Sequence, residues 1–359
     1  MPGYLSVIIG ILLFSLLIFV HELGHFLTAK AFGVQVNEFA MFMGPTIFKK
    51  KIGETLYSIR LIPIGGFCAM EGEDQDTDNP RSFQKAAWWK RLIILVAGAA
   101  MNFLMGLVLF AIVYIPVKQV VAPVFVDFTE CCIFDGEDGL QVGDRVYSVD
   151  GERVYTGSNV SMLLNLNGSD THDIVVIRDG QKVAFDDLKM VHTHTKDDGT
   201  EYYCDYRYGY SLQRMELTFT GKLREVFFTM VDNTRSVRLS LQMMISGKVG
   251  LSDVAGPVGI VGMMSDVASS APGFWEAVLD LLYFGGFLAV NLGVMNLLPI
   301  PALDGGRVVA LLLTTGIEAI TRKKIDPKFE GYIHGVGMIL LLALMAVIMF
   351  KDIFTIFKG

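Results

Sequence analysis

Residues 17–30 read LIFVHELGHFLTAK. Two histidines and a glutamate sit at the end of an apolar run that begins at Leu5, and the reading of that run decides the fold. Of the 359 residues 52% are apolar and 19% charged, a balance that fits a membrane-embedded chain. Crossing a bilayer takes about 20 apolar residues. Runs of that length occupy Leu5–Phe32, Leu92–Val117, Ala277–Leu298 and Tyr332–Phe350, which predicts four transmembrane helices. The first run lacks the basic start, short core and small-residue cleavage site of a signal peptide, and is read as a helix that is retained.

Lys and Arg favour the cytoplasmic side of short loops. Lys30, Lys49, Lys50, Lys51, Arg81, Lys85, Lys90 and Arg91 lie between the first two spans, and Arg307, Arg322, Lys323, Lys324 and Lys328 between the last two. Both segments are therefore expected in the cytoplasm, with both termini and residues 118–273 outside. Trp88 and Trp89 form an interfacial anchor beside Lys90 and Arg91. A net charge of −7 argues against a nucleic-acid partner and leaves the lipid bilayer as the expected surroundings.

From Leu5 to Val20 a helix travels roughly 24 Å, less than the ~30 Å hydrocarbon core. His21, Glu22 and His25 are thus expected inside the membrane, where ionisable residues mark function by default. Residues four apart share a helical face, so His21 and His25 can point imidazole nitrogens at one zinc ion. Glu22 stands where the H-E-x-x-H pattern places the general base. A catalytic zinc takes three protein ligands, and Asp280, Asp304 and His334 are the candidates for the third. Asp304 is the best placed, in NLLPIPALDGGRV (296–308): Pro299 and Pro301 break the helix, and Gly305 and Gly306 permit close backbone approach.

The chain resembles the bacterial site-2 proteases, intramembrane zinc metalloproteases of the regulator-of-sigma-E protease type. The resemblance rests on His21-Glu22-Leu23-Gly24-His25, on the N-x-x-P-x-P-x-L-D-G pattern from Asn296 to Gly305, and on Gly256-Pro257-Val258-Gly259-Ile260. It implies Asp304 as third ligand, Asn296 as a holder of substrate backbone, and substrates that are single-span proteins such as anti-sigma factors or signal-peptide remnants. It also implies a membrane-associated β-loop between the first two spans, where residues 33–67 alternate as strands do. Outside, GLQVGDRVYSVDGERV (139–154) looks like part of a PDZ domain, although the preceding VDFTECCIFDGEDGL lacks the small Gly-Ser-Pro-Ala-like segment usual there.

The expected architecture is an α-helical polytopic membrane protein with a β-loop and an inserted extracytoplasmic α+β PDZ-like domain. Its parts are 1–117 with the zinc motif, 118–218 as the outer domain, 219–273 as an amphipathic connector and 274–359 with the LDG motif. Gly98, Asn102 and Gly106 recur on one face of the second span and read as helix-packing residues. Cys68 falls on the cytoplasmic side; Cys131, Cys132 and Cys204 fall outside, where one disulfide would leave an odd thiol. His192 and His194 read as a solvated turn. The expected function is endopeptidase cleavage in or near transmembrane segments. The competing readings are a membrane-anchored zinc peptidase acting on soluble cytoplasmic peptides and a catalytically silent scaffold.

Overall fold

The computed structural model describes residues 3–73, 77–128, 139–166, 169–190, 193–195, 201–203, 209–250, 255–322 and 328–358. Helix α1 (Gly3–Ala31) leads into strands β1 (Val36–Ile52) and β2 (Thr55–Met70), and then helix α2 (Trp88–Tyr114). Strands β3 (Gln119–Phe128), β4 (Arg145–Val149) and β5 (Glu152–Arg153) precede helix α3 (Gly157–Leu166). Strands β6 (Thr171–Arg178), β7 (Gln181–Lys189), β8 (Thr193–Thr195), β9 (Glu201–Tyr203) and β10 (Tyr210–Glu216) follow. The chain ends with helices α4 (Phe219–Ile245), α5 (Pro257–Ser270), α6 (Phe274–Asn296), α7 (Asp304–Thr321) and α8 (Lys328–Lys358). Cys131, Cys132, Cys204 and His192 lie outside the described residues.

Four helices are long and apolar enough to cross a membrane: Val7–Ala31, Trp88–Tyr114, Phe274–Asn296 and Gly331–Asp352. They coincide with the four expected runs to within a few residues at each end. Two further helices were not legible as spans. Helix α5 is apolar but has only 14 residues, and the apolar residues of α7 are interrupted by Arg307, Thr314, Thr315 and Glu318, which breaks the continuous run a span requires.

The chain divides into two units, one of residues 1–113 and 233–359, the other of residues 114–232. In the first, Leu13, Leu17, Leu109, Met264, Leu281 and Leu288 pack into one cluster, and Ala29, Phe39, Phe83, Ile94, Leu95 and Leu311 into another. Glycines let the helices approach: a Cβ on Gly24 of α1 would overlap the Ala97 carbonyl of α2, and one on Gly286 of α6 would fall 2.8 Å from Phe110. The β1–β2 hairpin is folded over on itself. Ala40 pairs with Phe67 on one side and Ser58 on the other, while Lys49 also pairs with Ser58. Among the described residues the Gly66–Met70 stretch is bonded on one side only, so it is an edge of this sheet. The sheet's other end is clasped by Glu54, which takes Arg81 and Lys30 at 2.6 Å each; those two cations hold its carboxyl down at about 2.

The second unit is built on a sheet of order β10-β3-β4-β6-β7, with β5 on β4. Alternation decides its faces: along β6, His172, Ile174 and Val176 are buried while Thr171 and Asp173 are exposed. The turn into β4 is fixed by Asp144, which Arg178 engages through Nε at 2.8 Å and Nη2 at 2.7 Å. Strand β10 is an edge strand, paired with β3 from Tyr210 opposite Phe128 to Glu216 opposite Gln119.

Candidate metal centre

Helical spacing puts His21 and His25 on the face of α1 that meets α2, and both are buried, at 8% and 6% exposure. The His25 ring is oriented by α2: its Nδ1–H donates to the Ile94 carbonyl at 2.8 Å. That bond fixes the tautomer and leaves Nε2 with a lone pair, the form that binds a metal. Nε2 of His25 faces Nε2 of His21 at 3.2 Å.

The third group arrives through a tightly folded loop. After α6 ends, Leu297 and Leu298 bond back to Val294 and Met295, Ile300 bonds to the Leu298 carbonyl, and Leu303 bonds to that of Ile300. Helix α7 then starts at Asp304, with Gly305 against the Leu297 and Leu298 carbonyls and Gly306 against Ile300, where no side chain fits. This places Asp304 Oδ2 3.1 Å from His21 Nε2 and 3.3 Å from His25 Nε2.

The three donor atoms therefore form a nearly equilateral triangle. Ligand bonds of about 2.0–2.1 Å meeting at tetrahedral angles would hold donor atoms roughly 3.3 Å apart. Oδ2 of Asp304 is moreover a buried oxygen with no hydrogen bond of good geometry. An anionic oxygen and a bare imidazole nitrogen in contact repel unless a cation lies between them, so the donor set fits zinc in both spacing and chemistry. Among the described residues these three are the only His, Cys, Asp or Glu group that could hold a metal ion.

Glu22 lines a cavity of about 250 Å³ beside the triangle, together with His21, Asn102, Asn296, Ala302 and Asp304. The edge stretch of the hairpin runs past it: a Cβ built on Gly66 would lie 3.7 Å from Glu22 Cγ. Cys68 itself is a free, buried thiol that burial and the Glu22 charge push well up from its ordinary range, so it offers no nucleophile here.

Of the residues singled out in the sequence, His21, Glu22, His25, Asn296 and Asp304 converge. Asp280 is exposed on α6 and stands outside the triangle, as does His334. Gly98 and Asn102 read in the sequence as packing residues, but they meet the histidines directly. A Cβ on Gly98 would strike His25 Nε2 and stand 2.8 Å from His21 Nε2. The Asn102 and Asn296 amides lie 3.3 and 3.4 Å from His21 Nδ1. Asn102 Oδ1 is buried without a partner, so half a turn of that amide would offer an acceptor to an Nδ1 proton and leave Nε2 for the metal. The four-residue spacing showed that Gly98 and Asn102 share a face; it could not show which face of α1 lies opposite.

A buried His-His-Asp triangle beside a glutamate, on helices able to cross a membrane, defines a membrane-associated metallopeptidase class. Residues 9–344 match peptidase family M50. The chain is 34% identical to a Clostridium acetobutylicum protein named "putative zinc metalloprotease", over 98% of both chains. It is 29% identical to the zinc metalloprotease RasP of Geobacillus kaustophilus, over 97% of both, and 27% identical to the regulator of sigma-W protease RasP of Bacillus subtilis, over 98% of this chain and 99% of that one. The chain belongs to peptidase family M50, the site-2 protease family, and is a zinc-dependent metalloprotease of the bacterial membrane.

Proposed function

We propose that this chain is an intramembrane endopeptidase in which His21, His25 and Asp304 hold the zinc and Glu22 is the general base. The observation that carries the reading is the triangle of donor atoms with Glu22 beside it. It lies roughly 21 Å along the helix from Val7 at about 1.5 Å per residue, within a candidate span.

Zinc, when bound, acidifies a water and polarises the scissile carbonyl. The chain's own residues do the rest. The Glu22 carboxylate takes the proton from the attacking water as its oxygen bonds to the carbonyl carbon, and returns it to the amide nitrogen as the C–N bond breaks. The Asn296 amide lies on the wall of the same cavity, which supports its reading as a holder of substrate backbone. A substrate entering as a transmembrane helix must unwind, which leaves peptide groups unpaired in lipid. The free edge at Gly66–Met70, adjacent to Glu22, can take those groups as an added strand.

The substrates are single-span proteins, with anti-sigma factors and signal-peptide remnants as the chemistry to test first; the name of the Bacillus subtilis relative supports the former. Both termini and residues 118–273, which take in most of the second unit, lie outside the cell on this reading, as the distribution of Lys and Arg suggests. That outer unit is read as PDZ-like, supported by edge strand β10 beside α3, where Ser161 Oγ and Tyr210 Oη meet at 3.1 Å next to a cavity of about 290 Å³.

The test compares a spanning reporter with its soluble fragment, using wild type and Glu22→Gln in native-like membranes. Selective cleavage of the spanning form, lost in a variant that keeps its zinc, is the expected result. Preference for the soluble fragment would replace this reading with a membrane-anchored soluble-peptide protease.

A further inference from the structure

Helix α8 follows the Asp304 loop in the chain and belongs to no part of the triangle. Its side chains are almost all exposed along the span: Tyr332, Ile333, Val336, Met338, Ile339 and Leu340 all face outward. His334, at 8% exposure, is one of two buried residues on the span, the other being Asp352 at its far end. A polar imidazole within a candidate membrane span is costly unless it is partnered, so its place in the fold calls for a function.

The partner is the backbone of the metal loop: the Ala302 N–H donates to His334 Nδ1 at 3.1 Å. Backbone accounting shows why this donor needs help. Ile300 and Leu303 bond within the loop, and Pro301 has no N–H to give. Ala302 also has φ +81, in the left-handed region that an alanine enters only under strain. One turn further along α8, Gly337 packs against Pro301 so closely that a Cβ would fall 2.9 Å from the Pro301 carbonyl carbon. His334 and Gly337 thus grip adjacent residues of the loop, and Asp304 follows two residues later.

We infer that His334 is a positioning residue for the metal centre: it accepts the Ala302 N–H, holds that residue in its left-handed conformation, and thereby aims Asp304 at His21 and His25. Accepting that bond requires a bare Nδ1, so the ring carries its proton on Nε2. The inference rests on the reading of Asp304 as a ligand.

The experiment measures zinc affinity by competition with a chelator in purified full-length protein, alongside thermal melting. Residues that orient ligands typically contribute about 10–100-fold in metal affinity, and His334→Ala is expected to lose that much. His334→Asn, whose Oδ1 can reach the same point as Nδ1, should recover most of it. Ala302→Gly introduced into His334→Ala should also recover affinity, because glycine adopts φ +81 without strain and no longer needs to be held there. That last rescue would not follow if His334 merely filled space.

Unchanged affinity in His334→Ala overturns the inference, as does failure of both rescues, including failure because none of the variants folds. Asp304→Ala is measured in parallel. If it keeps wild-type affinity, the ligand reading has failed; if it loses zinc while His334→Ala does not, only the positioning role has failed.

Discussion

Gly98 of α2 faces His21 with bare backbone: a Cβ there would stand 2.8 Å from Nε2, the nitrogen that meets Asp304 Oδ2. A methyl group at position 98 would occupy the space beside the two rings where the proposed metal would sit. Overpacking costs about 1–3 kcal/mol, which is roughly a tenfold to hundredfold loss if it falls on metal affinity. Gly98→Ala is expected to fold, as judged by its melting curve, and to lose zinc by that factor in a chelator titration.

Glu22→Gln keeps the size of the side chain and removes the base. General acid–base catalysis contributes about 10²–10⁴-fold, so turnover of a spanning reporter should drop by at least the lower figure. Zinc content should stay at the wild-type level, because Glu22 is not one of the three donors. Near-normal turnover in the zinc-loaded variant would remove Glu22 from its role.

Asp304→Ala leaves two histidines to hold the ion, one fewer than a catalytic site normally provides. Zinc affinity and activity should fall together, and the loss should exceed that of His334→Ala. Asp304→Asn is the sharper comparison, since it keeps the shape and removes the negative charge.

How much of this was open to sequence reading depended on the range of each interaction. The spans were legible because lipid demands long apolar runs, and His21, Glu22 and His25 because helical spacing alone puts the two imidazoles on one face. Asp304 was legible through the prolines and glycines that let its loop fold tightly. Gly98 and Asn102 were seen only as a small-residue face, since what a helix face meets is decided by tertiary packing. The role of His334 was hidden for the same reason, and because a left-handed alanine leaves no mark in a sequence. Helix α7 was masked because Arg307, Thr314, Thr315 and Glu318 interrupt its apolar residues.

Arg307 lies one turn after Asp304 on α7 and pairs with Glu73, just beyond the edge stretch Gly66–Met70. The pair links the helix of the third donor to the strand beside Glu22. Each partner is about one-fifth exposed, so the coupling should be about 1 kcal/mol, between exposed and buried pairs. Arg307→Glu and Glu73→Arg are each expected to lower both stability and turnover, and the reversed pair to recover part of both. Additive losses in that double-mutant cycle would show that the pair does not act as a unit.

The last prediction concerns which substrates reach the zinc. Apolar segments that differ by a methylene or two are poorly discriminated by a binding groove, so a filter on size is the more effective device. Residues 114–232 form a unit of their own, with a sheet, a helix and a separate core of Phe125, Leu140, Val146, Leu163 and Ile174. If that unit stands outside the membrane, as proposed, it would obstruct a substrate with a bulky outer portion and admit one already shortened. Deleting residues 122–215, which removes most of β3, all of β4 to β9 and nearly all of β10 but keeps α4, should let the enzyme cut reporters with intact outer domains. The check uses two reporters that share one transmembrane segment and carry long or short outer portions, each tested against full-length and deleted enzyme. Full-length protein should cut only the short reporter, and the deleted protein both. A deleted enzyme that binds zinc and cuts the short reporter, yet still refuses the long one, would show that selection is made elsewhere.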